Sequence, residues 1–145
     1  MSHDQPITED VTIPSDLGEI QALQDRIDSG LQALGYGEND RFKIRLTVEE
    51  ALVNAMKHGN QLDPDKRVQV SYRITPERFD VRITDEGPGF TPSADPGPTD
   101  DRLLQRPGGR GLFIMRGFMD EVQYHGQGNV VTMSKFRRSH PPEPQ

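Results

Sequence analysis

The sequence contains no cysteine, which removes disulfides and thiolate metal sites from consideration. No run approaches the ~20 apolar residues of a membrane span. The opening Met1-Ser-His-Asp-Gln-Pro lacks the apolar core of a secretory signal. The expected compartment is therefore the cytoplasm, with no membrane partner. A basic surplus is missing as well. Lys and Arg total 17 against 23 Asp and Glu, a formal net charge of −6. That balance argues against a duplex-binding footprint, so no direct nucleic-acid partner is expected. Apolar residues make up only 32% of the 145, and mean hydropathy is −0.75. Part of that deficit falls in the two ends and in the 90–108 stretch. The remaining ~110 residues can still bury the core of one small domain.

The local patterns define an order of elements. Residues 1–10 read as a polar, disordered tail, with a short strand at Val11–Ile13. Ser15 is placed to cap a helix in which Leu17, Ile20, Leu23, Ile27, Leu31 and Leu34 recur at helical spacing, ended by Gly35-Tyr-Gly37. Asn39 or Asp40 can cap a second helix running to about His58, with Phe42, Leu46, Val53 and Met56 as its apolar stripe. Val68–Ile74 and Phe79–Ile83 alternate apolar and polar residues on either side of Thr75-Pro-Glu-Arg78, the signature of a hairpin. Residues 90–108 hold four prolines and two glycines, and such long loops are often functional. A third helix from Gly111 to about Met119 and a final hairpin, Val122–Tyr124 with Val130–Phe136, complete the pattern. The tail 137–145 is disordered by composition. This order predicts an α+β fold, a two-layer sandwich of a mostly antiparallel sheet with helices on one face.

Three motifs sit at the edges of these elements. Glu50 and Asn54 are four residues apart and share a helix face. Glu50 can orient or deprotonate a hydroxyl, whereas Glu49 points about 100° away. Asp85-Glu-Gly87-Pro-Gly89 closes a strand, and its carboxylate can read the exocyclic amine of adenine. Gly108-Gly-Arg-Gly111-Leu opens a helix, where free N–H groups favour an anion. This is no Walker loop, because no Lys-Ser/Thr follows the glycines. It is no Rossmann turn either, because no strand immediately precedes it.

Together the three segments resemble the N, G1 and G2 boxes of the Bergerat-fold (GHKL, histidine-kinase-like) ATPases. The closer resemblance is to bacterial anti-sigma-factor serine/threonine kinases, and it covers about residues 11–136. Glu50-X-X-X-Asn54-Ala and Gly111-Leu-Phe-Ile-Met-Arg-Gly-Phe-Met-Asp-Glu-Val122 carry it. The resemblance implies a Bergerat-type mixed sheet, an ATP and Mg²⁺ site, and an ATP lid at about 90–108. It implies Glu50 as catalytic base and Asn54 as magnesium ligand, with His58 on the same rim. Asp85, Gly87 and Gly89 would shape the adenine pocket. Gly109, Arg110, Gly111 and Leu112 would lie along the phosphates, with Arg106 or Arg110 reaching the γ-phosphate. The implied activity is phosphorylation of a small antagonist protein resembling an anti-anti-sigma factor. The implied further partners are a sigma factor and a second copy in a homodimer. The rival expectation is a non-catalytic nucleotide-binding module whose lid acts as a switch.

Overall fold

The computed structural model describes residues 5–87, 109–126 and 128–138, and only the backbone of 109–113. Five strands form one sheet: β1 (Ile7–Pro14), β2 (Arg67–Ile74), β3 (Arg78–Thr84), β4 (Glu121–His125) and β5 (Val130–Phe136). The helices are α1 (Ile20–Ala33), α2 (Glu38–Val53) and α3 (Gly109–Phe118), with a 3₁₀ turn at Leu17–Glu19. The sheet order is β1-β2-β3-β5-β4, and every pairing is antiparallel. The sheet is thus more uniform than the mixed one implied by the resemblance. Thr75 N–H closes the β2–β3 hairpin on the Arg78 carbonyl at 2.9 Å. Chain order is broken at β4, which takes the outer edge so that β5 returns between it and β3.

Strand alternation decides which face is covered. Val68, Val70, Tyr72 and Ile74 of β2 pack with Phe79, Val81 and Ile83 of β3 and with Val131 and Met133 of β5. The helices lie on this side, and Gln69, Arg73 and Arg82 occupy the open side. From α1 come Ile20, Leu23, Ile27 and Leu31, as its spacing predicts. From α2 come Ile44, Val48, Ala51 and Leu52. Each fully buried aliphatic side chain contributes about 1.5–3 kcal/mol relative to exposure.

Several expectations are corrected. The strand expected at Val11 begins at Ile7, because Ile7–Pro14 pairs along the whole of β2. The first ten residues are therefore not all tail. At the other end, Arg137 N–H donates to the Glu77 carbonyl and Arg138 N–H to Asp40, so the chain stays anchored past 136. The expected cap Ser15 is buried and donates instead to the Lys66 carbonyl, at 2.8 Å. Asp16 is the cap, accepting from Gly18 N–H. The N-cap of α2 is Gly37, and Asp40 is buried one turn inside. The apolar stripe read on α2 is only partly the core face. Met56 is buried, but Phe42 is 60% exposed and its ring lies 6.4 Å from that of Phe118. Leu46 and Val53 are half-buried. The helix is apolar on two sides, so spacing alone selects the wrong one.

Candidate nucleotide site

The end of α2 does not continue as an α-helix. Asn54–Gly59 forms a π-helical turn, closed by Asn60 N–H to the Ala55 carbonyl at 2.8 Å. Wide turns of this kind are frequent at functional sites. After it, Gln61 and Leu62 both adopt left-handed backbone, with φ of 55° and 56°. Non-glycine residues seldom occupy that region. The motif that reads as one helix in sequence is therefore a helix, a widened turn and a strained exit. Glu50 and Asn54 are both half-buried on it, while Glu49 is exposed and faces Gln24 of α1 at 3.5 Å. The two neighbouring glutamates thus have different surroundings, as the 100° step requires. His58 is half-buried on the same turn.

Asp85 leaves β3 directly against this turn. A Cβ added at Gly59 would fall 2.4 Å from the Asp85 carboxyl carbon, so only hydrogen fits there. One at Gly87 would fall 1.9 Å from the Gly59 carbonyl oxygen. The two sequence motifs are thus in contact, glycine against carboxylate and glycine against backbone. The Asp85 carboxylate is buried, and its Oδ1 accepts from Gly87 N–H at 2.8 Å. Among the described residues nothing donates to Oδ2, and no cation lies within salt-bridge distance. Burial pushes the Asp85 pKa above its ordinary value, against the pull of the Gly87 N–H and the Lys66 charge. A buried acceptor with no donor is costly. Such a group fits a ligand that brings the donor.

Two residues of the site carry no conspicuous motif. Asn129 brackets the Asp85 peptide: its carbonyl accepts from Asp85 N–H at 2.9 Å, and its Nδ2 donates to the Asp85 carbonyl at 3.1 Å. The sequence marks it only as the end of a Gly-Gln-Gly-Asn turn. Asn60 is fully buried, and its Oδ1 accepts from Glu86 N–H at 2.7 Å. In sequence it reads as a helix stop.

The remaining candidates divide. Gly109 is the first residue of α3, and Arg110, Gly111 and Leu112 follow in its first turn. The glycine-rich segment therefore does open a helix. Gly89, Arg106 and the 90–108 lid lie outside the described residues, as do the side chains of Arg110 and Leu112. Among the described residues no three His, Asp or Glu side chains converge as a metal cluster. The Asn54 amide oxygen is a hard donor of the kind Mg²⁺ accepts, and Mg²⁺ takes much of its shell from phosphate and water. No helix among the described residues is long and apolar enough to cross a membrane. A shallow depression of about 380 Å³ on the open face of the sheet, lined by Ser71, Arg73 and Arg82 among others, contains none of the candidate residues.

Residues 13–135 match the histidine kinase-like ATPase domain family. The serine-protein kinase RsbW of Listeria monocytogenes is 34% identical over 100 residues, which is 64% of this chain and 64% of that protein. RsbW of Bacillus subtilis is 31% identical over 112 residues, 71% of this chain and 69% of the relative. RsbW of Halalkalibacterium halodurans is 29% identical over 139 residues, 91% and 85% respectively. The chain thus spans just under two thirds of the length of the Listeria relative. The family match runs from β1 through β5 and encloses the contact between the widened turn and Asp85, so the chain belongs to the histidine kinase-like ATPase domain family.

Proposed function

We propose that this protein is an ATP-dependent serine/threonine kinase of a partner-switching system, similar in activity to the serine-protein kinases it resembles. The observation that carries the reading is the buried Asp85 carboxylate, whose Oδ2 has no donor among the described residues. The N6 amine of adenine supplies a donor, whereas guanine presents a carbonyl oxygen at that position and would set two acceptors face to face. Gly87 and Gly89 would shape the adenine pocket beside it.

Asn54 would hold Mg²⁺ through its amide oxygen, and the ion would neutralise phosphate charge. The first turn of α3, Gly109 to Leu112, would offer backbone N–H groups to the phosphates. Glu50 would accept the proton of the attacking serine hydroxyl. The bond from that oxygen to the γ-phosphorus forms as the bond to the bridging oxygen breaks, and ADP leaves. Positioning and charge neutralisation supply most of the catalysis in such transfers. The acceptor would be a small antagonist protein resembling an anti-anti-sigma factor. A sigma factor would be the second partner, held by a homodimer in the cytoplasm.

The test is transfer of radiolabelled phosphate from ATP to a candidate antagonist. Glu50→Gln should keep Mg-ATP binding and slow transfer about 10²–10⁴-fold, the range for loss of a general base. Glu49→Gln, altered on the exposed side of the helix, should transfer at the wild-type rate. A Glu50→Gln protein as fast as wild type would remove Glu50 from the chemistry.

A further inference from the structure

Asn60 has no part in the phosphoryl transfer described above, yet its side chain is among the most fully bonded in the molecule. It is fully buried. Its Nδ2 donates to Ser15 Oγ at 2.8 Å and to the Arg67 carbonyl at 3.0 Å. Its Oδ1 accepts from Glu86 N–H at 2.7 Å. One amide therefore ties the end of β1, the start of β2 and the exit of β3 to the widened turn that carries Asn54. Ser15 completes the set, since its hydroxyl donates to the Lys66 carbonyl while accepting from Asn60. Glu86 is held a second time, its Oε2 accepting from Arg67 N–H at 2.6 Å.

These bonds act on Asp85. Its own peptide is fixed by Asn129, and the next peptide is fixed by Asn60. Between them the carboxylate lies directly against Gly59. A buried amide of this kind must find all its partners or cost free energy. It therefore favours one arrangement of the three strand ends. We propose that Asn60, supported by Ser15, is the positioning residue that aims the Asp85 carboxylate and so sets the selectivity of the site for the exocyclic amine of the purine. The proposal rests on the reading that Asp85 meets the base.

Competition binding on the full chain tests it, with Mg-ATP and Mg-GTP as probes. The proteins are wild type, Asn60→Ala, Ser15→Ala, Asp85→Asn and the Asn60→Ala/Asp85→Asn double variant. The readout is the ATP:GTP affinity ratio, which a loss of fold alone would not change. Asn60→Ala should lower the ratio about tenfold, the scale of one charge-assisted hydrogen bond. Ser15→Ala should lower it less. The double variant should show no loss beyond Asp85→Asn, because both changes act through one carboxylate. If Asp85→Asn collapses the ratio while Asn60→Ala and Ser15→Ala keep it, the positioning role is wrong. Equal weakening of both nucleotides in Asn60→Ala also overturns it. If Asp85→Asn leaves the ratio unchanged, the base reading itself fails, and the proposal with it. Should Asn60→Ala not fold by circular dichroism, Ser15→Ala decides, and an unchanged ratio there overturns the role.

Discussion

At the N-terminal end of α2, Asp40 faces the ammonium of Lys135 at 3.6 Å and accepts from Arg138 N–H at 3.0 Å. Just past its C-terminal end, Asp85 accepts one backbone N–H and has a glycine pressed against it. Both carboxylates are buried. The first sits in a closed set of charges. Lys135 is only 1% exposed and lies 3.8 Å from a second carboxylate, Asp120, which in turn pairs with Arg138 at 2.9 Å. Burial pushes the Asp120 pKa up. The Phe136 N–H, the Arg138 hydrogen bond and the charges of Lys135 and Arg138 outweigh that and hold it below its ordinary value. At Asp85 burial prevails and the pKa is raised. One end of the helix has its charges matched within the fold. The other has no matching cation among the described residues.

Breaking the closed end should have the largest effect on stability. Lys135→Met leaves Asp40 and Asp120 without their shared cation. Removal of one partner from a buried pair costs about 3–5 kcal/mol, which urea unfolding would read. The Mg-ATP affinity of the folded protein should stay at the wild-type value. A matching loss of affinity would mean that the two ends of α2 are coupled.

The open end should respond with the opposite sign. Asp85→Asn removes a buried charge and keeps an oxygen for the Gly87 N–H, so the ligand-free protein should melt a few degrees higher at neutral pH. A carboxyl whose pKa is raised on folding contributes stability below its unfolded value, 3.8, and loses it as pH rises through the folded one. The advantage of Asn should therefore vanish below about pH 3.8. The same variant should lose ~1–3 kcal/mol of ATP binding. A ligand-free protein destabilised at neutral pH would show that Asp85 has a partner in the fold after all. Asp120 carries the reverse pH sign: its stabilisation is present above the ordinary carboxylate range and lost as pH falls through the lowered value.

The smallest effect is expected on the exposed face of the helix. Phe42 is exposed, and Phe42→Ser should change unfolding stability by less than about 0.5 kcal/mol. A larger loss would mean that its contact with Phe118 holds α3 against α2.

The elements and their order were legible in the sequence because strands and helices here differ in period. Val68 to Ile74 alternates and Ile20 to Leu34 does not. The candidate site was legible only as residue types: Glu50, Asn54, Asp85 and the glycines around them. What the sequence does not carry is the contact between segments. That Gly59 lies on Asp85 follows from a turn one residue wider than an α-turn, and no propensity encodes that width. In sequence Asn60 carries only a helix-stop signal, because asparagine ends helices in general. Its three partners lie 45, 7 and 26 residues away. The face of α2 was misread for a physical reason as well: Phe42 and Leu46 keep helical spacing, but Ile44 and Val48 do so too.

The widened turn makes the winding of the backbone, rather than side-chain identity, the guarded quantity in this part of the molecule. Between Asn54 and Asn60 the backbone holds one residue of slack. Were all six residues wound as a regular α-helix instead, everything after them would be turned by about 100°. Glu50 and Asn54, upstream of the slack, would keep their spacing and their common face. Asn60 would swing off Ser15, Arg67 and Glu86 together. The register between the two halves of the candidate site is thus held by the width of one turn.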